Sequence, residues 1–426
     1  MKVAQQWSRL TREETDLQYN PTLWTRRLPT DELLPAHIEF TSSESEAYRN
    51  RLGDQLQTIA YGDGEYVGEM DVFRPETLAA DAPIVFYVHG GWWQWFSKDQ
   101  FSYLAESFNQ KGFAVHMPGY RMAQDWNNDR PIESIVEQME HALATTLKQA
   151  CESGAPAVYL VGHSVGGQLV SMLRHMNPQK YGLSSEASKK IKAVFSLAGL
   201  FDLRYLLDSF VNDEIGMTLE SAEAVSPQFS QVDNGADLCP IHLILPEHDT
   251  AEFFRQTKEY QNKLLDEGQR SHLKVIDNRD HLDLIERLKN ENDELLTYMI
   301  KHMQTNESLL ETVKQASQIW KNAFNSGDAA GCAGQYETTA SMRAEPFGVF
   351  NGTEEIEAFW QNIINDGFTD VDYIEPEYEV VDDTSVLLKS RWKMNKASGV
   401  IHKELWVIQE DGSAKLREDH FEVTGE

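Results

Sequence analysis

From residue 84 to residue 276 the chain repeats one pattern, a short and mainly apolar run followed by a longer stretch whose apolar positions recur at helical spacing. The runs lie at 84–88, 113–117, 157–161, 193–197, 241–245 and 273–276. Runs this short, without alternation, suit strands of a parallel sheet buried on both faces. Between them, Ile132, Ile135, Val136, Met139 and Leu143 form one apolar helical stripe, and Leu169, Val170, Leu173 and Met176 another. Strand and helix in alternation predict an α/β domain built on a doubly wound, mostly parallel sheet.

The pattern then changes. A last helix of this region is predicted over about 282–302, and TNES, from Thr305, supplies an N-cap for a new helix, LLETVKQASQIWKNAF, stopped by the turn NSGD. Downstream, SVLLKSRWKMN, VIHKELWVI and KLREDHFEV alternate apolar and polar residues, the mark of antiparallel strands with one buried face. Alternation groups His402, Glu404 and Trp406 on one face, and Glu418 with His420 on another. The division is placed near Thr305, giving domains 1–304 and 305–426.

Composition narrows the role. Lys+Arg 38 against Asp+Glu 68 leaves a formal net charge of −30, a field that repels phosphate backbones and anionic lipid, so neither nucleic acid nor a membrane surface is an expected partner. Three scattered cysteines, Cys151, Cys239 and Cys332, have no metal-ligand spacing and read as unpaired thiols. Neither a signal-peptide core nor a membrane-length apolar run is present. A cytoplasmic location, no metal and no cofactor are the resulting expectations.

The candidate chemistry sits at the ends of the predicted strands. GHSVGG fits G-x-S-x-G with Ser164 between Gly162 and Gly166, the sharp strand-to-helix turn that holds a nucleophilic hydroxyl clear of a sheet edge. The motif gains weight from HGGWWQWF at 89–96, which follows another apolar run. Two glycines there let the chain aim backbone N–H groups at one point, as an oxyanion requires. Gly91 and Trp92, with Gly90, are the candidate upstream donors, and Val165 supplies the amide after the nucleophile. In an α/β-hydrolase the triad follows in the order Ser, acid, His. Asp249 lies just past the run 241–245, with Glu247 as a rival. His281 lies past the run 273–276, where an imidazole can reach back to the serine.

With these residues in place, the first 300 or so residues resemble the arylformamidase (kynurenine formamidase) family of α/β-hydrolases. QYNPTLW, IAYGDGE, HGGWWQ followed by SKDQFSYLAESF, PGYR, GHSVGGQL and the FRQ after Asp249 all carry the likeness. Departures are the bulky Trp95 and Phe96, Pro246 where a glycine is usual, and Asp280 where an asparagine is common. The resemblance implies a Ser164, Asp249, His281 triad cleaving N-formyl aryl amines such as N-formylkynurenine, with residues 1–60 capping the site. A carboxylesterase acting on small or aryl esters shares every catalytic part and remains the alternative; a non-catalytic ligand-binding protein is the third. Trp93, Trp95 and His163 are candidate pocket residues, each tryptophan either walling an aromatic site or packing the strand end. Residues 305–426 resemble the nuclear-transport-factor-2-like superfamily, a cone-shaped α+β fold with a curved antiparallel sheet, which implies homodimerisation through that domain.

Overall fold

The six mainly apolar runs become six strands of one eight-stranded sheet in the computed structural model. In chain order its strands are β1 (Leu56–Tyr61), β2 (Gly68–Phe73), β3 (Ile84–Val88), β4 (Ala114–Pro118), β5 (Val158–His163), β6 (Ile191–Leu197), β7 (Ile241–His248) and β8 (Ser271–Asp280). The order across the sheet is β1-β2-β4-β3-β5-β6-β7-β8. Only β1/β2 and β2/β4 run antiparallel; the other pairs are parallel. Every residue of β3 and β5 is buried, because helices such as Pro131–Ser153 and Val165–Leu173 cover the sheet, and that is why these strands show no alternation. β1, a half-exposed edge, gave no apolar run and has no counterpart in the pattern above.

The structure describes residues 10–231, 238–303, 306–382, 384–409 and 411–425. The chain divides into two compact units, Met1–Leu296 and Thr297–Glu426. Thr305, where the sequence pattern places the division, lies outside the described residues. Among the described residues no helix is long and apolar enough to cross a membrane.

Within the first unit the chain reverses its winding between β3 and β5. β4 pairs on one side of β3, and β5 with its successors lies on the other, so the loops after β3 and β5 part and leave a crevice at the carboxyl ends of the strands. The helix expected over 282–302 is instead broken into Asp283–Glu286, a 3-10 turn Arg287–Lys289, and Glu294–His302. Asp293 causes the restart: its Oδ1 accepts the backbone N–H of Leu295 at 2.9 Å, satisfying a helix-start amide that a continuous helix would have bonded to its own carbonyls.

The second unit carries the helices Asn306–Asn325, Ala329–Ala333 and Gly352–Asn365. Its sheet contains β9 (Tyr336–Glu345), β10 (Gly348–Asn351), β11 (Asp372–Val380), β12 (Ser385–Lys393), β13 (Ser398–Ile408) and β14 (Ala414–Gly425). The order is β10-β9-β14-β13-β12-β11. The sheet is mixed rather than wholly antiparallel, since β14 pairs parallel to β9; these two strands are far apart in the chain, and no hairpin forces them antiparallel. Trp320, Phe324, Trp360, Trp392 and Trp406 fill the core. Register shifts between Ile401 and Lys403 and between Leu416 and Glu418 alter the faces. Glu404 and Trp406 point inward while His402 is exposed; Asp419 points inward, in place of Glu418 and His420. A bulge adds one residue and so flips every position beyond it.

Candidate active site

β5 ends in the turn that carries Ser164. Its backbone sits at φ 57° and ψ −123°, a region costly for a residue with a Cβ, on the order of 1–3 kcal/mol. The surroundings enforce it. Ser164 N–H donates to the Leu197 carbonyl on β6 at 2.8 Å, and the helix Val165–Leu173 starts at once. A Cβ on Gly166 would overlap the Val88 carbonyl, and one on Gly162 the Gly166 carbonyl, so strand and helix pass at backbone distance and both glycines are obligatory.

The segment after β3 is as strained. Gly91, Trp92, Trp93 and Phe96 all have positive φ, and the Gly91 carbonyl accepts from the N–H groups of Gln94 and Trp95 at 3.0 and 2.8 Å. The turn is braced by His89, fully buried, stacked on Tyr120 at 4.4 Å and pushed down to about 4 by burial. A neutral His89 donates through Nδ1 to the Gly90 carbonyl at 2.7 Å. The amides of Gly91, Trp92 and Val165 donate to no protein acceptor among the described residues. Gly91 and Trp92 line a cavity of about 190 Å³ together with Gly90, Ser164, His163 and His281.

The acid and the imidazole come from the ends of β7 and β8. Asp249 follows β7, its Oδ1 accepting the Thr250 N–H at 2.8 Å and its Oδ2 lying 2.8 Å from His281 Nδ1. Both residues are buried, and Phe253 stands edge-on to the imidazole at 5.2 Å. With Nδ1 engaged by a carboxylate, Nε2 is the ring nitrogen left for the cavity. The rival Glu247 is turned away, accepting the Asn278 N–H at 2.8 Å. Ser164 and His281 thus line one cavity beside unpartnered amides, with Asp249 behind the imidazole, an arrangement able to perform nucleophilic acyl transfer.

Of the three pocket candidates, Trp95 lines the cavity and is 48% exposed, and His163 lines it too, with Nε2 2.8 Å from the His281 carbonyl. Trp93 is a correction: it is fully buried, its indole N–H donates to Gln168 Oε1 at 3.2 Å, and it belongs to the packing under the turn. The remaining wall comes from places the sequence pattern did not mark, Asn20, Pro21, Thr22, Leu34, His37, Phe210 and Leu282. Asn20, Pro21 and Thr22 fall inside QYNPTLW, and these three with Leu34 and His37 lie within residues 1–60, the segment that the resemblance implied as a cap. Among the described residues no cluster of His, Cys, Asp or Glu is arranged to hold a metal ion.

Comparison with known proteins comes down on the same unit. A family profile described as BD-FAE matches residues 70–264. The chain is 32% identical over 298 residues to the kynurenine formamidase of Danio rerio, covering 69% of this chain and 97% of that protein. It is 30% identical over 301 residues to the kynurenine formamidase of Salmo salar, covering 70% and 98%. A solved structure from Silicibacter, described as a candidate thioesterase, superposes with a TM-score of 0.54 at 24% identity over 66% of this chain and 97% of that one, a likeness of fold.

Proposed function

This chain belongs to the kynurenine formamidase family of α/β-hydrolases, and from that premise we propose that it hydrolyses N-formyl aryl amides such as N-formylkynurenine through Ser164, His281 and Asp249. That it is a hydrolase rests on the family; the substrate and the triad are the proposal. The observation that carries it is the His281 imidazole held by Asp249 at 2.8 Å in a cavity shared with Ser164 and the Gly91 turn.

In this mechanism Ser164 Oγ attacks the formyl carbon as His281 Nε2 takes its proton, and Asp249 stabilises the imidazolium. The oxyanion forms against the amides of Gly91, Trp92 and Val165. A donor of this kind contributes about 3–4 kcal/mol to the transition state. The C–N bond breaks, His281 returns the proton to the aryl amine nitrogen, and formyl-serine remains. Water, deprotonated by His281, then attacks the ester, releasing formate and restoring Ser164. A formyl group carries only hydrogen beyond its carbonyl, which suits a site whose Gly91 turn is flanked by Trp92 and Phe96.

The test compares N-formylkynurenine with p-nitrophenyl acetate for the wild type and Ser164→Ala. The expected result is a higher kcat/KM on the formamide and a loss of roughly 10³-fold or more in kcat on both substrates in the variant. A strong preference for the acetate would move the assignment to a carboxylesterase, and undiminished activity in Ser164→Ala would remove the triad.

A further inference from the structure

Three imidazoles line the cavity, those of His37, His163 and His281, and two of them are accounted for. His281 is held through Nδ1 by Asp249. His163 donates through Nε2 to the His281 carbonyl at 2.8 Å, and burial, aided by the neighbouring His281, lowers its proton affinity well below the ordinary value. His37 belongs to neither arrangement. It comes from the helix Thr30–Leu52, is only 2% exposed, and packs edge-on against Phe96 with ring centres 5.9 Å apart.

Behind His37 stands a chain of charges that ends at the catalytic loop. Its Nδ1 lies 2.7 Å from Glu286 Oε1; Glu286 Oε2 lies 2.7 Å from a terminal nitrogen of Arg27; and Arg27 Nε lies 2.7 Å from Asp280 Oδ2. Asp280 Oδ1 in turn accepts the N–H groups of Leu282 and Asp283 at 3.0 and 2.8 Å, immediately after His281. Burial alone would raise Glu286, yet the hydrogen bonds from His37 and Arg27 outweigh it and hold the group below the usual carboxylate range. An ionised Glu286 only accepts, so Nδ1 carries a proton, and Nε2 is the ring nitrogen left for the cavity.

That nitrogen has no partner among the described residues, and its surroundings in the cavity wall, Leu34, Phe96 and Phe101, offer none. Anchoring the helix explains the bond from Nδ1 to Glu286, but it does not explain a second ring nitrogen left without a protein partner in a residue that lines the cavity. The group behind His37 sums to one negative charge, two carboxylates against one guanidinium, and the wall is aromatic; both features favour a cation in the cavity over an anion.

We propose that His37 is a substrate-contacting residue whose Nε2 accepts a hydrogen bond from an amine or ammonium on the part of the substrate that does not react. The proposal deepens the hydrolase reading and rests on it. Arg27 and Glu286 are positioning residues: they fix the His37 tautomer and tie it to the loop that carries His281, so the substrate's amine and its scissile bond are registered against one rigid frame.

The experiment measures how much the enzyme gains from an amine-bearing head. Two substrate pairs differ in that head: N-formylkynurenine against N-formylaniline, and O-acetyltyrosine against phenyl acetate. The readout is the ratio of kcat/KM within each pair, for wild type, His37→Leu and His37→Phe. Both variants remove the acceptor, the phenylalanine keeps a ring for Phe96 to pack on, and either one that folds suffices. The expected result is a wild-type preference for the head-bearing member and at least a tenfold fall in the ratio in the variants, carried by KM more than by kcat. An unchanged ratio, or equal losses on both members, overturns the proposal. If the wild type cleaves the esters and neither formamide, the formamidase reading fails while the ester ratio still decides His37. Absence of turnover on all four substrates overturns both.

Discussion

A serine at φ 57° is paid for by hydrogen bonds and packing that relax nowhere else in the turn, so the hydroxyl is positioned before any substrate arrives. The same holds for His281, whose tautomer is set by one carboxylate oxygen. Asp249→Asn is therefore expected to lower kcat on N-formylkynurenine by roughly 10³ to 10⁴-fold. The loss on p-nitrophenyl acetate should be smaller, because nitrophenolate departs without the proton that an aryl amine needs. Similar losses on both substrates would show that Asp249 serves only the attack step. Trp93 gives a stability prediction of the same scale: Trp93→Phe removes the indole donor from Gln168 and leaves a buried acceptor, at a cost of about 1–3 kcal/mol, read as a lower midpoint in denaturant. Ser164, Asp249 and His281 were legible because each stands at the end of an apolar run. His37, Arg27 and Glu286 were not, since a histidine on a helix and a salt bridge 259 residues apart leave no local trace.

At the scale of elements, close approach governs the elbow. Gly166→Ala would drive a Cβ into the Val88 carbonyl, and the helix Val165–Leu173 would have to lift from β3. The expected outcome is destabilisation of about 2–4 kcal/mol together with loss of activity; a fully active Gly166→Ala with an unchanged melting temperature would mean the helix sits further from the sheet than this. Periodicity located β3 to β8, most clearly β3 and β5, whose residues are all buried. It failed where one residue changes the count. The helix predicted over 282–302 breaks because Asp293 bonds to backbone amides more favourably than it continues a helix. In β13 and β14 the bulges carry Asp419 into the interior and His402 out of it, and no alternation rule anticipates an inserted residue.

For the molecule as a whole, the second unit holds the sharpest dependence on pH. Glu404 is 3% exposed, and burial pushes it up to about 7 although Tyr373 and Trp406 donate to it at 2.6 and 2.8 Å. Asp419 is raised well above its usual range, first by burial and then by Glu404. A carboxyl that binds its proton more tightly folded than unfolded contributes stability in full below its unfolded value near 4.5, and that contribution is lost as pH rises through about 7. The melting transition of this unit, followed by the fluorescence of its buried tryptophans, is expected to fall by on the order of 5–10 °C between pH 5 and pH 8. Glu404→Gln, which has no proton to lose, should remove much of that fall; an identical pH profile in the variant would contradict it. A net charge of −30 adds a general effect: screening self-repulsion with about 0.15 M salt should raise the melting temperature measured in dilute buffer.

The amino-acid sequence by itself determined the α/β architecture, the strand ends that carry Ser164, Asp249 and His281, and the glycines of both turns, because burial and backbone strain act over a few residues and mark them directly. Which side chains face the cavity was decided by tertiary structure alone. Trp93 went into the core and Trp95 to the rim, and His37 came across from a distant helix, because those outcomes depend on which surfaces the fold brings within hydrogen-bonding distance, and no stretch of chain contains that distance.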